Sequence, residues 1–70
     1  MGNSYQYKLE DLCSRNKWHW PRYFSVGTKP NFCSYDMKVA GLSFRGDECS
    51  SEEEAKENVA KKALDFFGES

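Results

Sequence analysis

The sequence predicts a small α+β domain of order α-β-β-β-α, with two amphipathic helices on one face of a three-stranded antiparallel sheet. Two observations carry this. The two ends of the chain place apolar residues at helical spacing, and the stretch between them is built of short strand-like runs punctuated by turn residues. Each helix has one apolar stripe and the sheet one apolar face, so all of them must share a core. Seventy residues suffice for one such core and not for two, since a chain this short buries only about 60% of its unfolded surface. The domain is expected to span residues 4–68, with 1–3 and 69–70 as flexible termini.

In the first helix, from Tyr5 to about Lys17, Tyr5, Leu9, Leu12 and Cys13 fall at i, i+4, i+7 and i+8, with Lys8, Glu10, Asp11, Arg15 and Lys17 between them. Asn3 or Ser4 supplies the cap. The helix is expected to end over Trp18-His19-Trp20-Pro21, because Pro21 turns Trp20 out of the α region. Trp18 reads as a plug in the core.

Arg22 to Val26 is aromatic and β-branched, lies between Pro21 and Gly27, and predicts the first strand. Gly27-Thr28-Lys29-Pro30-Asn31 reads as a turn. Cys33, Tyr35, Met37 and Val39 then alternate with Ser34, Asp36 and Lys38, the pattern of a strand with one buried face. Ala40-Gly41 reverses the chain, and Leu42, Phe44 and Arg45 pair back as a third strand. The polar, acidic stretch from Gly46 to Glu54 leads into the last helix. There Ser51 and Glu54 fit a reciprocal capping box, Ala55, Val59, Ala60, Ala63, Leu64 and Phe67 form the buried stripe, and Gly68 stops the helix in the left-handed conformation.

Composition narrows the function. Ten Lys and Arg against eleven Asp and Glu leave a net charge of −1. That is a weak start for a nucleic-acid binder, whose affinity rests on neutralising phosphates. No run of about 18 apolar residues occurs, and the first residues lack the basic-then-apolar signal-peptide pattern. Cys13, Cys33 and Cys49 are an odd, widely spaced set without a CxxC pair, and His19 is the single histidine. This argues against a disulfide framework and a metal site alike. Reduced thiols imply an intracellular protein, nuclear or cytoplasmic. His19 has no Ser or Cys at a motif spacing, and no Gly-rich phosphate loop is present. An enzyme is therefore not expected, nor a cofactor, a small-molecule substrate or a membrane partner. Trp18, Trp20, Phe24 and Phe32 read as core and rim packing rather than base-stacking platforms, because basic residues do not interleave them densely. Lys61 and Lys62 read as part of a solvated face.

The whole pattern resembles the double-stranded RNA-binding domain family over nearly the full chain. Leu9-Glu10-Asp11-Leu12-Cys13 with Trp18, then Pro21-Arg22-Tyr23, looks like its first helix and strand. Ala40-Gly41-Leu42-Ser43-Phe44 looks like its second turn and third strand, and Glu54-Ala55-Lys56-Glu57-Asn58-Val59-Ala60-Lys61-Lys62-Ala63-Leu64 like its last helix. Gly41-Leu42-Ser43-Phe44 and Cys49-Ser50-Ser51 are most similar to plant-type members that act in RNA silencing. In such domains the first helix and first inter-strand loop touch successive minor grooves of a duplex, while lysines at the start of the last helix hold the phosphates between.

On this chain those positions fall at Asp11, Ser14, Lys29 and Lys56, and most depart from the pattern. Asp11 and Ser14 are shorter than the favoured Glu and Gln, and the first loop lacks its Gly-Pro-x-His element. A Lys-Lys-x-Ala-Lys motif maps onto Glu52-Glu53-Glu54-Ala55-Lys56, leaving Lys56 as its only lysine. Two Lys-to-Glu exchanges change the local charge by about four units; one unit pair at 4 Å is worth about 4 kcal/mol at an effective dielectric near 20, before screening. The resemblance thus implies a module whose duplex surface has decayed and which docks another protein. That partner is expected to be a second domain of the family or a subunit of a processing complex, met through Leu42, Ser43, Phe44 and Arg45 with Cys49 at the margin. The alternative is a weak, shape-specific duplex binder.

Overall fold

Helix α1 spans Tyr5–Asn16 in a computed structural model that describes residues 4–69, with only the backbone described at 27–29. Ser4 is its N-cap, the hydroxyl accepting the Tyr7 N–H at 3.0 Å. At the other end Lys17 takes a left-handed conformation (φ 57°). The Lys17 N–H donates to the Ser14 carbonyl at 3.2 Å and the Trp18 N–H to the Cys13 carbonyl at 2.9 Å, the paired bonds of a Schellman stop. The helix therefore ends at Asn16, five residues before Pro21, and Pro21 is not what ends it.

Strands β1 (Arg22–Lys29), β2 (Phe32–Val39) and β3 (Leu42–Arg45) form one antiparallel sheet in the order β1-β2-β3. The expected five-residue turn after Val26 is corrected. β1 runs on to Lys29, and only Pro30 and Asn31 connect it to β2. Ser25 faces Tyr35 and Thr28 faces Cys33, so Val26 and Gly27 together oppose Ser34 in a β-bulge. The Ser34 hydroxyl donates to the Val26 carbonyl at this irregularity. Gly27 marks the bulge, not the strand end. The β2–β3 connection is the expected one: Ala40 (φ 54°) and Gly41 (φ 77°) are both left-handed, as a two-residue I′ hairpin turn requires, between the paired Val39 and Leu42.

Helix α2 spans Glu52–Phe67. The Ser51 hydroxyl accepts the Glu54 N–H at 3.2 Å, as expected, but the Glu54 carboxylate accepts from the Ser50 hydroxyl instead of closing the box on Ser51. Gly68 (φ 75°) ends the helix, its N–H donating to the Asp65 carbonyl at 3.1 Å, while the Glu69 N–H reaches the Leu64 carbonyl at 2.8 Å.

The core joins Leu9, Leu12 and Cys13 of α1, Met37 and Val39 of β2, and Val59, Ala60, Ala63 and Leu64 of α2. Each large aliphatic side chain buried in this way contributes about 1.5–3 kcal/mol. α2 lies on β2 and β3, and α1 packs along α2. The two helices run parallel. Gln6 bonds to Glu53 and Glu57 at their N-terminal ends, and Trp18 meets Phe67 (ring centroids 5.3 Å) at their C-terminal ends. Cys33 and Cys49 exchange both backbone hydrogen bonds (2.8 and 2.7 Å), so the chain beyond β3 rejoins β2 after a short excursion at 47–48. Among the described residues no helix is long and apolar enough to cross a membrane.

Candidate nucleic-acid and protein interfaces

Because the helices are parallel, both N-termini open onto one end of the molecule. This is the end where the positive poles of two helix dipoles would attract an anion. The sequence fills it with carboxylates: between residues 52 and 57 stand Glu52, Glu53, Glu54 and Glu57 against Lys56 alone. Glu52, Glu53 and Glu54 are exposed. Glu53 accepts from the Gln6 side-chain amide at 3.0 Å, and Glu57 accepts the Tyr5 N–H at 2.7 Å, the Gln6 N–H at 3.2 Å and the Gln6 side chain at 2.8 Å. Partial burial pushes the Glu57 carboxyl up. The bonds donated by Tyr5, Gln6 and Ser4 outweigh this and hold it below the usual range.

Lys56 turns the other way. It is half-buried, with its ammonium 5.3 Å from the centre of the Tyr35 ring, so it faces β2 while Glu53 and Glu57 face α1. Asp11 and Ser14 are exposed on α1, and Asp11 is paired with Arg15 at 3.0 Å. Arg15 also reaches Glu69 at 3.4 Å. The Lys29 side chain lies outside the described residues. Asp11 and Ser14 therefore share the outer face of α1, whereas Lys56 is directed to the sheet and does not join them.

The second surface is the β3 edge. β3 is the last strand of the sheet and pairs only with β2 among the described residues. The Gly46 N–H donates to the directly opposed Tyr35 carbonyl at 3.0 Å. Ladder bonds alternate along an antiparallel pair. Phe44 and Leu42 therefore direct their backbone groups to β2, and Ser43 and Arg45 direct theirs to the free edge. Cys49 continues this margin through its bridge to Cys33. Leu42 is 38% exposed and Phe44 is half-buried. Beside them, on the last turn of α2, Phe66 is 65% exposed and meets Phe44 edge-on at 5.6 Å, and Phe67 completes the cluster. Phe66 is the residue that sequence reasoning missed. The Phe66-Phe67 doublet was the available signal, since the apolar stripe of α2 accounts for only one of the two.

Neither Cys13 nor Cys49 is an activated nucleophile. Desolvation and then the Glu10 carboxylate raise the Cys13 thiol, while desolvation followed by Glu54 and Asp47 raises Cys49, so both stay protonated.

No family model matches the sequence, and no curated protein is significantly similar to it. Solved structures are similar. A doubly substituted form of the double-stranded RNA-binding domain of human tRNA-dihydrouridine(20) synthase aligns at a TM-score of 0.88 and 23% identity, over 96% of this chain and 72% of that one. Arabidopsis HYL1, described for its implications in miRNA processing, aligns at 0.85 and 16% identity, over 91% and 96%. The second such domain of DRB4 aligns at 0.73 and 20% identity, over 94% and 97%. With the helix, three antiparallel strands and helix in place and these structures superposing on nearly the whole of it, the chain has the fold of the double-stranded RNA-binding domain.

Proposed function

We propose that this chain is a non-catalytic docking module that binds a second domain of the same fold through its β3 edge, within an intracellular complex that processes or silences double-stranded RNA. The observation that carries the reading is the pairing of Phe66 with Phe44 beside the free backbone of Ser43 and Arg45. An unpaired edge strand is a template for another strand, and an exposed aromatic at its border is the kind of anchor that dominates such interfaces. The carboxylate-filled helix end supports the same reading, because it opposes a phosphate ridge. The RNA setting rests on likeness to domains such as that of HYL1.

Sedimentation velocity tests it directly. Mixed with sister domains of this fold, the chain is expected to form a complex with at least one, and Phe66→Ser is expected to abolish it without unfolding the domain. A chain that stays monomeric with every such domain overturns the reading.

Weak duplex binding is the second reading, favoured by the fold itself and by exposed Asp11 and Ser14 on α1. It predicts that Lys56→Ala lowers the salt slope of binding by about one unit. Unmoved amide signals in a duplex titration at low salt dispose of it.

A further inference from the structure

At the end of the molecule opposite the acidic helix N-termini, the α1–β1 connection and the β2–β3 turn border an open cleft of about 520 Å³. Lys17, His19, Trp20, Arg22 and Lys38 line it, Ala40 and Gly41 border it, and no carboxylate contributes to its wall. The three cations Lys17, Arg22 and Lys38 come from the end of α1 and two strands, so their convergence is invisible in the linear order. Among the described residues, Lys17, Arg22 and Lys38 form no ion pair, although Arg15, Lys61 and Lys62 all do. The two tryptophans divide their roles. Trp18, which also borders the cleft, packs against the core with its ring tilted 40° to that of Phe67, whereas Trp20 is 62% exposed at the cleft. Lys38 also lies over the Phe24 ring, 6.0 Å from its centre, but large aromatic side chains are mostly buried, so an indole left in water beside cations without ion pairs is informative.

We infer that this cleft binds a short single-stranded segment of nucleic acid, with a base stacked on Trp20 and the adjoining phosphates on Lys17, Arg22 and Lys38. A cationic groove joined to an exposed ring is the combination that single-strand binders use. An acidic peptide would satisfy the cations and leave the indole unused, and a duplex hides the faces of its bases. The site uses none of the edge residues of the β3 docking reading, although Ala40 and Gly41 on its wall adjoin Leu42, where that edge begins.

The test is a titration with a fluorescein-labelled eight-nucleotide uridine oligomer at low salt, read by anisotropy and by tryptophan quenching. Poly-glutamate and an unlabelled duplex serve as competitors. Binding is expected to weaken about ten- to hundredfold in Trp20→Ala, and the salt slope to fall by about 1.4 units in Arg22→Ala/Lys38→Ala. Phe32→Ala, which removes another exposed aromatic at the far end of the β1–β2 hairpin, is expected to change nothing. Circular dichroism confirms that each variant is folded, and the indole N–H signal of Trp20 in the unaltered chain gives a readout that needs no variant. Absence of binding, affinity indifferent to Trp20→Ala, a Trp20 indole signal that does not move, or competition by poly-glutamate or duplex as strong as by the oligomer itself would each overturn the inference.

Discussion

The carboxylate of Glu57 on α2 accepts the backbone N–H of Tyr5, the first residue of α1, at 2.7 Å. The first turn of α1 contains no acidic residue of its own, so the orphan N–H groups of Tyr5 and Gln6 and the positive pole of that helix are satisfied from its neighbour, while Ser4 caps Tyr7. Folding of the two helices is thereby coupled through one side chain.

That coupling predicts an acid limb to stability. Partial burial raises the Glu57 carboxyl, but the bonds from Tyr5, Gln6 and Ser4 set it below its ordinary value of 4.5 in the folded state. In the window between the depressed and the ordinary value the unfolded chain binds more protons, so stability rises with pH. The contribution is complete above about 4.5 and is lost as pH falls through the depressed value. Urea melts of Glu57→Gln are expected to show lower stability at neutral pH and a shallower decline between pH 5 and 3 than the unaltered chain.

Gly46 is expected to be intolerant of any side chain. A Cβ there would stand 2.6 Å from the Tyr35 carbonyl oxygen, which is backbone in the ladder, and 3.1 Å from Cβ of the fully buried Val59. Gly46→Ala is expected to cost about 1–3 kcal/mol by chemical denaturation, the usual range for forced overpacking. A change below 0.5 kcal/mol, the range of an ordinary surface substitution, would show that the strand end can move aside.

Placing lysines at the mouth of α2 tests the proposal that the carboxylates there oppose a duplex. Glu52→Lys/Glu53→Lys changes the charge there by about four units and loses about 0.3–1 kcal/mol of helix-dipole stabilisation per residue. A gain in affinity for duplex RNA is expected, with a salt slope steeper by about two units in filter binding. No gain would show that these carboxylates do not govern duplex affinity.

The parts of this fold that were legible in the sequence are those governed by local periodicity. Leu9, Leu12 and Cys13, the Ala55 to Leu64 stripe, and Met37 with Val39 all lie in the core where their spacing put them, because burial of one face is a property of each element alone. The bulge at Val26 and Gly27 was hidden: one inserted residue leaves composition unchanged, and a glycine after a strand reads as its end. The stop at Lys17 was hidden because a lysine in the left-handed conformation carries no compositional mark. Phe66 and Trp20 were missed as surface features for a different reason. Their roles arise where α2 ends beside β3, and where the α1–β1 connection meets the β2–β3 turn, and both are long-range contacts. Acidic residues at the start of α2, by contrast, were visible directly, because a helix N-terminus and its charges share one short segment.

The measurement that bears most directly on the central claim is an amide-shift titration of isotopically labelled chain, first with a duplex of about 16–20 base pairs and then with a sister domain. The docking account predicts that the sister domain perturbs Leu42 to Arg45, Cys49 and Phe66 while the duplex leaves α1 and the start of α2 unmoved. Strong duplex-induced shifts at Asp11, Ser14 and Glu52 to Lys56, with a silent β3 edge, would contradict it.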